Sequence, residues 1–175
     1  VDAFRRRIDL NRADARRPDS LGDDDVTSLF EDRSGVLWVG TDGGGLDSLA
    51  PDDSSGESAF RHLRSSLPAE ARQALRRVKT IAEDEGGSLW VGTWQGLFRR
   101  DPKSGRFSWQ GGGGRHDPRR EIVSVVVRGR SGSLWVGTDG AGLRRLVVPP
   151  GGGEPIFERY QRLPGDVQSL SGVAV

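Results

Sequence analysis

An all-β fold, a partial β-propeller of about three four-stranded antiparallel blades with one outer strand at the N-terminus, is predicted by three observations. The pentapeptide LWVGT occurs three times, at Leu37 to Thr41, Leu89 to Thr93 and Leu134 to Thr138. A Val stands twelve residues before each Trp (Val26, Val78, Val123), and a Gly-Leu pair follows each Thr (Gly45-Leu46, Gly96-Leu97, Gly142-Leu143). Trp38, Trp90 and Trp135 are 52 and 45 residues apart, close to the roughly 40 to 50 residues of propeller-blade repeats.

Each element of the unit has a local reason. The stretch Val26 to Phe30 alternates, Glu31 to Gly35 breaks it with turn residues, and Val36 to Val39 resumes an apolar run, which reads as strand, tight turn, strand. The LWV run is apolar at consecutive positions, so both faces of that strand must be covered, as they are when small sheets stack. Gly40 to Gly45 supplies residues that tolerate positive φ for a second turn, and Leu46 to Leu49 forms a third strand. A fourth strand centres on a Phe at Phe60 to Leu63, Phe107 to Trp109 and Phe157 to Tyr160, and the Phe4 to Ile8 segment has the same character.

The expected layout is an outer strand of a preceding blade over residues 1–10, a connecting loop over 11–25 and blade 1 over 26–63. A loop with a short helix over 64–77 leads to blade 2 over 78–109. A loop over 110–121, blade 3 over 122–162 and the start of a next blade over 163–175 complete it. Ser20-Leu21 precedes Val26 as Ser169-Leu170 precedes Val175, so the chain reads as a window of about three repeats in a longer array. Propellers close with about 4 to 8 blades, and terminal sheet edges are therefore expected to be open. Leu67, Ala71 and Leu75, four apart with Pro68 near the start, mark the short helix.

Composition narrows the function classes. The 175 residues carry 26 basic and 25 acidic side chains, a net charge of +1, so no overall field draws the chain to nucleic acid or an anionic membrane. The absence of Cys excludes disulfides, thiolate metal sites and a Cys nucleophile. No apolar run reaches the length of a signal peptide or a membrane span. His62 and His116 occupy unrelated places in their units, and no nucleophilic triad can be drawn from the spacing. Glu31-Asp32 reads as a turn former beside a hairpin. Asp23 to Asp25 lacks the alternating ligands, Gly and distal Glu of a calcium loop, and the Gly runs lack a following Lys-Ser/Thr. No catalytic residue, metal or cofactor is expected.

The unit from Val26 to Leu46, VTSLFEDRSGVLWVGTDGGGL, resembles the two-component regulator propeller repeat, and the likeness covers nearly the whole chain. Such repeats resemble those in the extracytoplasmic sensor portions of bacterial hybrid histidine kinases and some diguanylate cyclases. There, two propellers precede an immunoglobulin-like module and a membrane span, and many members respond to oligosaccharides. The resemblance implies a periplasmic or extracytoplasmic sensor segment. Its implied partners are the rest of the propeller and downstream signalling modules, within a parent chain that forms a homodimer. Direct contact of this segment with membrane or nucleic acid is not expected.

With up-and-down connections, the turn between the second and third strands shares one face with the loop leaving the fourth. That face collects Asp42, Trp94, Gln95 and Asp139 from turns, and Arg64, Arg72, Arg76, Arg77, Arg115, Arg119 and Arg120 from loops. The ligand-binding candidates are Trp94, Gln95, Asp42, Asp139, Arg77 and Arg120, a mixture that suits a sugar: rings stack on Trp while hydroxyls meet polar groups. Trp94 leads because it interrupts a turn otherwise built of small residues. The competing account of Trp94 is cover over an adjacent blade, and that of the arginines is a solvated surface. The LWVGT tryptophans, recurring in an apolar strand, belong to packing. Rival functions are a polysaccharide lyase or glycosidase, which calls for a catalytic cluster near the propeller axis, and a protein-interaction scaffold.

Overall fold

The computed structural model describes residues 12–51, 59–63, 67, 69–110, 121–147, 149, 155–161, 163, 165–166 and 169–170. The expected N-terminal outer strand over residues 1–10, and Arg64, Arg115, Arg119, Arg120 and His116, lie outside them. So does most of the expected next blade.

Three four-stranded sheets follow one another, each wound in simple sequence order. Blade 1 comprises β1 (Val26–Glu31), β2 (Leu37–Thr41), β3 (Leu46–Leu49) and β4 (Phe60–His62). The helix α1 (Ala69–Ala74) leads to blade 2: β5 (Val78–Glu83), β6 (Leu89–Thr93), β7 (Gly96–Arg100) and β8 (Phe107–Trp109). Blade 3 comprises β9 (Ile122–Arg128), β10 (Leu134–Asp139), β11 (Gly142–Val147) and β12 (Ile156–Tyr160). All pairings are antiparallel. Successive blades touch chiefly through their first strands, β1 on β5 and β5 on β9, which places these strands innermost.

The LWVGT strand serves two interfaces because its side chains alternate. In blade 2, Leu89 and Val91 enter the core shared with Trp38 and Leu46 of blade 1, while Trp90 enters the core shared with Val123, Val126, Leu134 and Val136 of blade 3. Trp90 is fully buried. The α1 stripe read from the sequence is buried as well: Leu67, Ala71 and Leu75 pack into the core between blades 1 and 2.

Gly40 and Thr41 do not belong to the turn, contrary to the expectation above; they complete β2, and only Gly45 in this stretch has positive φ, at 101°. The glycine is needed for a different reason. A Cβ at Gly40 would lie 2.5 Å from Val78 Cγ1, and one at Gly92 would lie 2.6 Å from Val123 Cγ1. The next blade's inner Val thus rests directly on the glycine backbone. The threonine that follows is fully buried in each copy, and its hydroxyl donates to the carbonyl of the glycine closing the turn: Thr41 to Gly45 at 3.1 Å, Thr93 to Gly96 at 2.9 Å, Thr138 to Gly142 at 2.7 Å.

The rule that both faces of this strand are covered holds for β2 and β6 and fails for β10 at the far end of the array. Trp135 is only partly buried, tilted against Tyr160 at 5.6 Å between centroids. Its neighbours Val127, Ile156 and Tyr160 are exposed, as are Val26 and Leu29 on the opposite side of blade 1. Alternation assigns these residues to the two faces that no blade covers among the described residues.

Candidate functional site

The turn-forming role expected of Glu31-Asp32 is carried by Asp32. Its carboxylate accepts from Ser34 N at 2.9 Å, Ser34 Oγ at 2.6 Å, Val36 N at 3.1 Å and the Trp38 indole N–H at 2.7 Å. Asp84 repeats this in blade 2, accepting from Ser88 N at 2.9 Å and Trp90 Nε1 at 2.8 Å. Blade 3 has Gly129 instead, and a Cβ there would lie 3.1 Å from Trp135 Nε1. The acidic residue is therefore a strut between turn and tryptophan, not a ligand.

Partial burial acts to raise the Asp32 carboxyl, and the hydrogen bonds from Ser34, Trp38 and Val36 outweigh it, so it titrates below the usual carboxylate value. A depressed folded value means that this stabilisation is complete above the unfolded carboxylate value of about 3.9. It is lost as the pH falls through the lower folded value. The melting temperature of Asp32→Asn is accordingly expected to fall less steeply on acidification than that of the wild type, which calorimetry between about pH 5 and pH 2 checks.

The face bearing the β2–β3 and β6–β7 turns brings four of the six ligand candidates together. Asp42, Arg77, Trp94 and Gln95 border one cavity of about 260 Å³, with Gly43, Gln73, Ala74 and Arg76 completing its wall. Asp139 is the exposed last residue of β10 in blade 3 and does not border this cavity. Arg120 lies outside the described residues.

Asp42 and Arg77 join blade 1 to the entrance of blade 2. Arg77 Nη2 donates to Asp42 Oδ2 at 3.0 Å and its Nε to Oδ1, and the two backbones form an isolated antiparallel bridge. The hydrogen bond from Arg77 holds the Asp42 carboxyl below its usual range, and that from Asp42 holds Arg77 above its own. Both groups are partly in solvent, so the pair contributes little to stability. Its effect is positional. Pinned by Asp42, the Arg77 guanidinium carbon lies 4.1 Å from the centroid of the Trp94 ring, and Lys79 Nζ lies 4.6 Å from it. Trp94 is 36% exposed. At the next blade junction the position of Arg77 is taken by Ile122, by alignment on Val78 and Val123, so among the described residues this assembly is confined to blades 1 and 2.

Lys79 was not among the candidates. It is the extra residue where the β5–β6 register shifts between Val78 and Thr80, and a bulge turns a side chain away from its strand's regular face. The other residues missed by sequence reasoning are Asp47 and His62. They face one another across β3 and β4, with His62 Nδ1 2.7 Å from Asp47 Oδ1. Asp47 is fully buried, and its other oxygen accepts from Gly22 N at 2.7 Å. A signal was present, since the equivalent β-strand position holds Phe98 in blade 2 and Arg144 in blade 3, a wide departure within a repeat. Asp23 to Asp25 form a turn in which Asp23 Oδ1 accepts from Asp25 N at 2.8 Å.

The two component regulator propeller family profile matches residues 20–43 and 74–95, which hold the first two strands of blades 1 and 2, LWVGT included. Histidine kinase P4 of Formosa agariphila is 35% identical over 81 residues, 46% of this chain and 6% of that protein. The extracellular domain of a hybrid two component system from B. thetaiotaomicron superposes with a TM-score of 0.53 at 17% identity, covering 86% of this chain and 24% of that one. PorZ, a surface component of the type-IX secretion system of Porphyromonas gingivalis, gives 0.53 at 17% identity over 69% and 19% of the respective chains. Similarity at this level of identity shows the propeller fold. The chain spans only a small part of each of these relatives.

Proposed function

We infer that this chain, a run of two-component regulator propeller repeats, is the ligand-sensing propeller segment of an extracytoplasmic signal-transduction receptor and binds a carbohydrate or other small polar ligand. The observation that carries the reading is the convergence of Trp94, Gln95, Asp42 and Arg77 on one cavity at the junction of blades 1 and 2. An aromatic ring, an amide, a carboxylate and a guanidinium are the groups that meet the apolar and hydroxyl faces of a saccharide. The volume of about 260 Å³ admits a single sugar unit or the end of a chain. A ligand stacking on Trp94 must displace Lys79 or enter beside it, because cations already lie over the ring.

Position adds a reason for signalling. Two blades supply the cavity walls, so a ligand bridging Asp42 and Trp94 favours one blade-to-blade arrangement over others, and that differential affinity is what shifts a receptor between states. Binding without catalysis is the better account. The enzyme reading asks for an acid–base cluster near the axis, and the His62–Asp47 pair instead occupies the outer strands of its blade. A glycan array probed with the complete extracytoplasmic region, wild type beside Trp94→Ala, tests the proposal. Loss of about tenfold or more in affinity for bound neutral glycans is expected of the variant; unchanged binding removes Trp94 from the site.

A further inference from the structure

We propose that a second cavity on the same face, adjoining the first, is a site for a carboxylate group held by Arg72, Arg76 and His62. This goes beyond the reading above and does not depend on Trp94 touching a ligand. The cavity is an open cleft of about 850 Å³, lined among the described residues by those three side chains, by Asp23, and by Gly22, Gly43 and Gly44.

Its cationic groups are held in place from behind. Arg76 Nε donates to Gly43 O at 3.2 Å and Arg72 Nη2 to Leu67 O at 3.1 Å, which leaves each guanidinium with further N–H groups. His62 is anchored through Nδ1 to Asp47 and is 32% exposed at its side chain, so its remaining polar atom is Nε2. The floor is bare backbone: a Cβ at Gly43 would lie 2.6 Å from Asp23 Oδ2, and one at Gly44 would strike the Gly22 carbonyl.

Two facts separate this from an ordinary charged surface. Burying a carboxylate is costly, yet Asp47 is wholly buried where the other two blades place Phe98 and Arg144, and what it holds is the imidazole facing the cavity. The charge balance is also specific. Arg72 and Arg76 face Asp23 as the one carboxylate among the described lining residues, which leaves one net positive charge in that lining. That matches a single carboxylate better than a phosphate dianion, and guanidinium forks bind carboxylates through paired hydrogen bonds.

Calorimetric titration of the chain with D-galacturonate, neutral galactose and inorganic phosphate tests this. Galacturonate should bind at least tenfold more tightly than galactose and more tightly than phosphate, with affinity falling as salt is added. Arg72→Ala, which lies outside the Trp94 cavity, should weaken galacturonate by about tenfold with the melting temperature little changed, and His62→Gln should weaken it by a smaller factor. Trp94→Ala should leave galacturonate binding intact, so this site and the sugar site fail separately. Equal binding of galacturonate and galactose, tighter phosphate, no heat at about 10 mM galacturonate, or full retention in Arg72→Ala overturns the proposal. A His62→Gln variant that melts early but binds normally makes the Asp47–His62 pair a structural latch and removes His62 from the site.

Discussion

Trp90→Ala is expected to destabilise the chain by about 3 to 5 kcal/mol, the range for truncating a buried aromatic, and to lower its melting temperature by on the order of 10 °C. The indole is fully buried between blades 2 and 3 and donates to Asp84, itself only 2% exposed. Its removal therefore opens a cavity and strips a buried carboxyl group of one hydrogen-bond donor, and the two losses add. Trp135→Ala is the internal control. The same residue of the repeat, only partly buried on the uncovered face of blade 3, should cost about half as much or less. Differential scanning calorimetry of both variants decides the matter, and equal losses would contradict the assignment of Trp90 to an inter-blade core.

The second large effect comes from adding atoms. Gly92→Val should destabilise the chain by about 1 to 3 kcal/mol or more, although valine suits a β-strand by propensity. A Cβ at Gly92 would lie 2.5 Å from Thr80 Cγ2 and 2.6 Å from Val123 Cγ1, one in its own blade and one in the next. Both neighbours are buried and cannot swing away. Blades 2 and 3 must then move apart, which also stretches the contact between Thr80 Oγ1 and the Val126 N–H, now 3.1 Å. Urea unfolding followed by tryptophan fluorescence measures the change, and a midpoint equal to wild type would show that the interface accommodates the extra methyls.

Legibility differed between fold and site for identifiable reasons. The strand order and the burial of Trp38 and Trp90 could be read from the repeat, because a pattern used three times reports a shared environment. The α1 stripe was readable from spacing alone. Gly40 was assigned to a turn because glycine's usual role is positive φ; its true constraint, the Val78 side chain 38 positions further along, has no local signature. Within the site, Trp94 stood out by breaking a turn composition. The Asp42–Arg77 pair could be placed on one face but not joined, and Asp139 looked equivalent to Asp42 but belongs to blade 3, away from the cavity at the junction of blades 1 and 2. Lys79 was hidden by its bulge, since a register shift changes the direction of a side chain without changing the composition of the strand.

The amino-acid sequence by itself determined the unit: its three copies, the hairpin order within each blade, the Asp-capped turn and the two-faced apolar strand. These follow from contacts a few residues apart, which residue type and period encode directly. The tertiary structure alone decided which copy does what. The stacking of blade 1 on blade 2 joins Asp42 to Arg77 beside Trp94 and brings α1 to the same face, and cross-strand register sets His62 beside a buried Asp47. Those juxtapositions join residues far apart in the chain through inter-blade packing and strand register, and neither of these is written in any single repeat.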